Sequence, residues 1–227
     1  MSLARQALLI IRKDLLLEWR GRSRLFSVLL FGVVTLLLFS FAVGPDGTGL
    51  QENASGFLIL ALLLSSTLAL SESFRLEQEQ RALEGLLLLP VDPVALYYGK
   101  VVGNTLFLFL LGPLLAPVAL GLYGVPMPGD TLPRLLGIWA LSAAGLSAPG
   151  SLYAAMTSRL QSRDVLLPIL LFPLLVPVLL AGVKAIDLIL TGDPMGQLRS
   201  WTLLLVAFDL IYWTLCGILF PQAIEDA

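Results

Sequence analysis

The chain has 227 residues, of which 57% are hydrophobic and 13% charged, and its mean hydropathy is +0.90. Water-soluble domains carry about 25% charged residues, so the composition excludes an ordinary soluble enzyme or nucleic-acid-binding module and describes a polytopic, all-α membrane protein. A net charge of −2 identifies no partner, the single cysteine (Cys216) excludes an intrachain disulfide, and the lack of histidine removes the commonest haem and transition-metal ligand.

Residues 1–24 come first and carry charge throughout. Arg5, Arg12, Lys13, Asp14 and Glu18 break up the opening stretch, which argues against a cleavable signal peptide. At helical spacing, Leu3, Ala4, Ala7, Leu8, Ile11, Leu15 and Trp19 gather on one side and Arg5, Gln6, Arg12, Lys13 and Arg20 on the other. Leu9 and Leu16 interrupt the polar side, and Asp14 and Glu18 intrude on the apolar one. The pattern predicts an amphipathic interfacial helix, anchored by Trp19 and the basic run Arg20–Arg24. It serves either as a topogenic anchor or as an elbow that moves with a cytoplasmic partner.

Spans are read as gaps between charges, each long enough for about 20 residues of helix. They are Leu25–Pro45, Asn53–Ser71, Val101–Tyr123, Leu135–Ser158, Val165–Val183 and Trp201–Phe220. A β-barrel is excluded because the apolar runs do not alternate with polar lumen residues. Of the 14 Lys and Arg, only Arg134, Lys184 and Arg199 fall on the side opposite the N-terminus, which leaves 14 − 3 = 11 on the N-terminal side. This positive-inside bias predicts that both termini are cytoplasmic.

The largest acidic cluster lies between spans two and three, in FRLEQEQRALEGLLLLPVDP, residues 74–93. If residues 72–89 are helical, Arg75–Glu79 and Glu77–Arg81 are i,i+4 pairs, and Glu77 and Glu84 share a face. Leu83, Leu86 and Leu87 lie on the adjoining face. Pro90 and Pro93 end the element, and Asp92 sits in a turn back to the membrane. Such a segment is either a solvated connector or a charged plug for a peripheral subunit, with Phe74, Glu77, Glu79, Arg81, Glu84, Leu86, Pro90 and Asp92 as its contact residues.

Two later spans have unusual helix chemistry. The fourth contains Gly145, Ser147, Ala148, Gly150, Ser151 and Ala154, which permit close backbone approach, and Pro149-Gly150 is expected to kink or unwind it. The fifth carries Pro168, Pro173 and Pro177, which either merely bend it or form a hinge or a lateral opening for a bulky amphiphile. Asp209 is the one ionisable residue deep in a span, at a cost of about 2.5–3.5 kcal/mol at the bilayer centre. It requires a partner or a proton, and Tyr212 and Trp213 are within helical reach.

Catalytic motifs are absent: there is no GxxxxGK[ST] phosphate loop, no HExxH and no histidine for a hydrolytic triad. Against this background LLLSSTLALSESFRLEQEQRALEGLLLLPVDP (residues 62–93), Tyr98-Gly99-Lys100, LSAPG (146–150) and LPILLFPLLVPVLLAG (167–182) resemble the CcmB family, the membrane B subunit of the cytochrome c maturation ABC complex, also called haem exporter protein B. The resemblance implies an ABC-2-like permease whose ATP is bound by a separate cytoplasmic ATPase, the A subunit. It further implies a haem-handling membrane C subunit and a periplasmic haem chaperone as partners. Haem is then a substrate rather than a cofactor of this chain, and residues 72–93 are the coupling element that meets the ATPase. A permease for a lipid or glycan, and a non-transporting scaffold, are the alternatives to that reading.

Overall fold

The computed structural model describes residues 3–20, 23–44, 47–79, 92–126, 129, 131–157 and 163–225. Eight helices follow in chain order: α1 (Leu3–Arg20), α2 (Ser23–Val43), α3 (Gly47–Glu52), α4 (Ala54–Glu79), α5 (Pro93–Tyr123), α6 (Leu132–Thr157), α7 (Arg163–Thr191) and α8 (Leu198–Glu225). Among the described residues there is no strand. Six of the helices, all but α1 and α3, are long and apolar enough to cross a membrane, so the chain is a multi-pass, all-α membrane protein.

Two span limits differ by about two turns from those read off the charge gaps, and the others by a few residues. The third helix starts at Pro93 rather than Val101, and the fifth runs to Thr191 rather than Val183. The physical reason is the same at both places: a lysine need not mark the membrane surface. Lys100 is buried inside the bundle, and Lys184 is exposed on the flank of α7, about two turns from its end.

Helix ends are set by local chemistry. Asp92 caps α5, accepting a hydrogen bond from the Val94 amide at 2.9 Å, and Pro93 occupies the first turn, where a missing N–H costs nothing. At the far end Gly124 takes φ +64, a left-handed value that favours glycine, and its N–H returns to the Leu120 carbonyl. The Asp193 carboxylate accepts from the amides of Leu198 at 2.9 Å and Gln197 at 2.8 Å, closing the start of α8. These amide bonds, Leu198 first, hold its carboxyl below the usual carboxylate range.

The core lies around α6, the most buried of the spans, which packs against α4, α5, α7 and α8. Its small residues allow this crowding. Ser142 on α6 lies against Gly182 of α7, with 2.9 Å between the hydroxyl oxygen and the place a Cβ would occupy. The same pairing recurs between Ser65 of α4 and Gly32 of α2, also at 2.9 Å. Trp139 lies flat in the groove opened by Gly112 of α5 and donates its indole N–H to the Leu108 carbonyl at 3.1 Å.

The prolines sort by face. Pro113 and Pro117 of α5 and Pro173 and Pro177 of α7 are exposed on the outer surface of the bundle, and both helices run on through them. Pro149 and Gly150 are instead buried, and α6 stays helical across them rather than unwinding. Only one bond is lost there, because Pro149 has no N–H for the Gly145 carbonyl. Packing on several sides holds the remaining ladder in place.

Candidate functional site

The sequence points to the segment between α4 and α5, and the structure describes its two flanks. Helix α4 carries the chain out past Ser73 as far as Glu79, so Phe74, Glu77 and Glu79 ride on its last turns. Arg81, Glu84, Leu86 and Pro90 lie outside the described residues. Asp92 is the first described residue on the return, where it caps α5.

The returning flank is held by α1. Gln6 accepts the Asp92 amide through its side-chain oxygen at 3.1 Å. One turn further along α1 and about two turns into α5, Ile10 presses on Gly99, where a Cβ would stand 2.7 Å from the Ile10 Cγ2. At the adjacent residue of α5, the Lys100 ammonium lies 3.1 Å from the carboxylate of Asp14, one more turn along α1, whose other oxygen lies 3.2 Å from Lys13 Nζ. The Lys100 side chain is 3% exposed and that of Asp14 19%. The bundle therefore buries a positive charge in the first turns of α5 and supplies its counter-charge from α1. Paired, such a group is tolerated; with one partner removed it is costly.

The same stretch of α5 is fixed to the core. Tyr97 donates its hydroxyl to the Ala148 carbonyl at 3.2 Å, Tyr98 to the Trp213 carbonyl at 3.4 Å, and the Asn104 amide to Ser151 Oγ at 2.9 Å. The departing flank has its own contact. Arg24, at the start of α2, donates to the Ala69 carbonyl of α4 at 2.7 Å and lies 4.7 Å over the Phe107 ring of α5. Between these helices is a cavity of about 270 Å³, with Asp14, Arg24, Ser73 and Asn104 toward its polar side and Phe107 and Leu110 on its apolar one.

The two described flanks are thus each clamped, one on α4 and one on α5. The α1 helix is more than an interfacial float, because its Ile10 is buried and its polar side chains bind the start of α5. Sequence reasoning missed the Asp14–Lys100 pair. Its signal was nevertheless present: Asp14 breaks the apolar side of α1, Lys100 closes a charge gap, and the two have opposite signs.

The intramembrane residues lie elsewhere, in the middle of the bundle. Asp209 of α8 approaches Gly145 of α6, and its Oδ1 is buried. The aromatic neighbours that helical spacing offers it are engaged otherwise. Trp213 donates to the Ala144 carbonyl at 3.1 Å, and Tyr212 stacks on Phe208 with centroids 4.1 Å apart. Pro173 is distant in character, being exposed on the outer face of α7. Among the described residues no group of acidic or cysteine side chains could hold a metal ion.

Comparison with known proteins supplies the family. The family model described as CcmB protein matches residues 5–227. The chain belongs to the CcmB family. Among curated relatives, the "Heme exporter protein B" of Pseudomonas aeruginosa is 32% identical over 202 residues, covering 89% of this chain and 90% of that one. The protein of the same name from Paracoccus denitrificans is 34% identical over 194 residues, 85% and 87% of the two chains. That of Escherichia coli is 34% identical over 179 residues, 78% and 80%. The CcmB match takes in α1 together with all six spans, so the α1–α5 clamp falls within the family's own extent.

Proposed function

We propose that this CcmB protein is the membrane subunit of an ABC-type complex that handles haem in the biogenesis of c-type cytochromes. It is built as one ABC-2-like transmembrane domain over residues 1–227. The observation that carries this reading is the family match over nearly the whole chain, with relatives named for haem export. The chain has no phosphate-binding loop, so ATP binds a separate cytoplasmic A subunit. It has no histidine, so haem iron is ligated by partners, a membrane C subunit and a periplasmic haem chaperone, and haem is substrate here.

In this reading both termini face the cytoplasm of a bacterial inner membrane, and residues 72–93 are the coupling element. The α1 clamp supports it: a force on the 80–91 segment has two fixed outlets. One is α4, tied to α2 by Arg24. The other is the start of α5, tied to α1 through Gln6, Ile10 and Asp14. From α5 the displacement reaches α6 and α8 through Tyr97, Tyr98 and Asn104.

The test is charge reversal on the coupling element. Exposed charges on a mere connector contribute about 0–1 kcal/mol and tolerate reversal, whereas like charges opposed across an interface cost several kcal/mol. Glu77→Lys combined with Glu84→Lys is expected to leave the protein inserted and abundant, yet to abolish co-purification of the ATPase and formation of c-type cytochromes. Normal co-purification and normal cytochrome levels in that variant would reject the coupling assignment.

A further inference from the structure

We propose that the cavity between α1, α2, α4 and α5 is a binding site for an anionic phospholipid, with its phosphate at Arg24 and the upper part of one tail along Phe107 and Leu110. The inference is independent of the haem reading and requires only that the six long helices cross a bilayer. The cavity measures about 270 Å³, beside about 300 Å³ at the small end of sites for organic ligands, so it takes part of a lipid rather than a whole one. Leu15, Phe26, Leu106 and Leu110 line it and are exposed, so it opens on the outside of the bundle. Asn104 and Phe107 also line it and are only 6% and 5% exposed, so it reaches inward between the helices as well.

Its polarity runs in the direction a phospholipid needs. Arg24 is the first residue of the α2 span and Ser73 the last of the α4 span, so both stand at one membrane surface. Helix α5 runs inward from that surface, and at about 1.5 Å per residue Leu110 lies roughly 9 Å deeper along it than Asn104. Over that distance the lining changes from Arg24, Ser73 and Asn104 to Leu106, Phe107 and Leu110. The deep end opens on hydrocarbon, where there is no water, so lipid reaches it before any water-soluble ligand does.

Charge selects the headgroup. Asp14, the acid among the lining residues, holds its carboxylate between Lys13 Nζ at 3.2 Å and Lys100 Nζ at 3.1 Å. With Arg24 these are three cations to one anion, a surplus that favours a headgroup of net negative charge over a zwitterionic one. Arg24 is also held in position, by the Ala69 carbonyl at 2.7 Å and the Phe107 ring at 4.7 Å, and a guanidinium fixed in this way loses little freedom on meeting a phosphate. Gly103 keeps the slot open. Among the described residues its Cβ position meets only Asp14, at 3.8 Å, so a larger side chain there would extend into the cavity without straining the α1–α5 contact. A phospholipid seated here touches α4 and α5 together, the two flanks of the coupling segment.

The test uses the intact complex in nanodiscs of phosphatidylglycerol and phosphatidylethanolamine in equal amounts, each lipid in turn carrying a photoactivatable diazirine near the ester end of one tail. In the wild type the phosphatidylglycerol probe should label Gly103, Asn104 or Phe107, which are buried from the surrounding bilayer, several-fold more than the phosphatidylethanolamine probe does. Labelling confined to exposed side chains such as Leu203 and Leu210 of α8, or equal labelling by the two probes, would overturn the proposal. Native mass spectrometry of the complex extracted from the same membranes gives a second reading. Phosphatidylglycerol should stay bound after activation that strips loosely held lipid. Arg24→Gln should lower that retention about tenfold, the least expected from losing a hydrogen bond to a charged group, and Gly103→Leu should remove it by filling the slot. Unchanged retention in both variants, or haem held in place of the lipid, would overturn the assignment. The labelling needs no variant, so it decides the question even where Gly103→Leu fails to assemble.

Discussion

The Asp14–Lys100 pair offers the sharpest check on the α1 clamp. At 3.1 Å and an effective dielectric constant of about 20, the Coulomb attraction is roughly 5 kcal/mol before desolvation. Burial of Lys100 consumes much of that, so the pair as a whole is close to neutral against a well-packed apolar replacement. Its removal in halves is different. Asp14→Asn takes away the carboxylate that Lys100 and Lys13 share, and should cost about 3 kcal/mol, near the low end for a broken buried pair because Asp14 is 19% exposed. Lys100→Met removes the buried charge and should cost about 1 kcal/mol. Asp14→Asn with Lys100→Met should cost about 1 kcal/mol, a coupling energy of about 3 kcal/mol. Reversible unfolding of the purified protein in mixed micelles measures all the corners of this cycle. Additive single effects, with coupling below about 0.5 kcal/mol, would refute the claim that these side chains act as a buried pair joining α1 to α5.

Three further outcomes follow from the same structure. Gly99→Val should displace α1 at a cost of about 1–3 kcal/mol, since its Cβ would meet Ile10 at 2.7 Å, and Ile10→Ala in the same chain should recover part of it; no recovery in the unfolding midpoint would place the clash elsewhere. For orientation, a cysteine at Gly47 in place of Cys216 should react with a membrane-impermeant thiol reagent from the periplasm, and one at Gln78 should not; the reverse pattern would invert the topology. Because amide hydrogen bonds lower the folded-state value of Asp193, its contribution at the start of α8 is complete above the ordinary carboxylate range and is lost as the pH falls through that lowered value. Hydrogen exchange at the Leu198 and Ser200 amides should therefore accelerate on acidification relative to the Asp193→Asn protein, and an unchanged difference between the two would remove that role from Asp193.

The helical, six-span character was legible in the sequence, because the bilayer leaves so few options. Long uncharged runs must be helices when no water can satisfy the backbone, and hydropathy counts them without reference to any contact. The turn at Asp92-Pro93 and the closeness of α6 to its neighbours were legible for similar reasons, since capping, proline and small residues act over a few positions of chain. The limits of α5 and α7 were not, because charge gaps assume that every lysine lies at the surface.

What composition could not decide was which charges meet. Asp14 looked like a fault in an amphipathic helix and Lys100 like the edge of a span. Only the fold brings them to 3.1 Å, across 86 residues of chain, and turns two local irregularities into one buried pair. The same holds for Asp209: its sequence neighbours Tyr212 and Trp213 were the natural partners, yet the structure turns its carboxylate toward Gly145 and commits Trp213 to Ala144. Periodicity reports the environment averaged along one helix, whereas pairing depends on the rotation and depth of two helices at once. That is why the sequence by itself determined the membrane class and the number of spans, and the tertiary structure alone decided which polar groups hold them together.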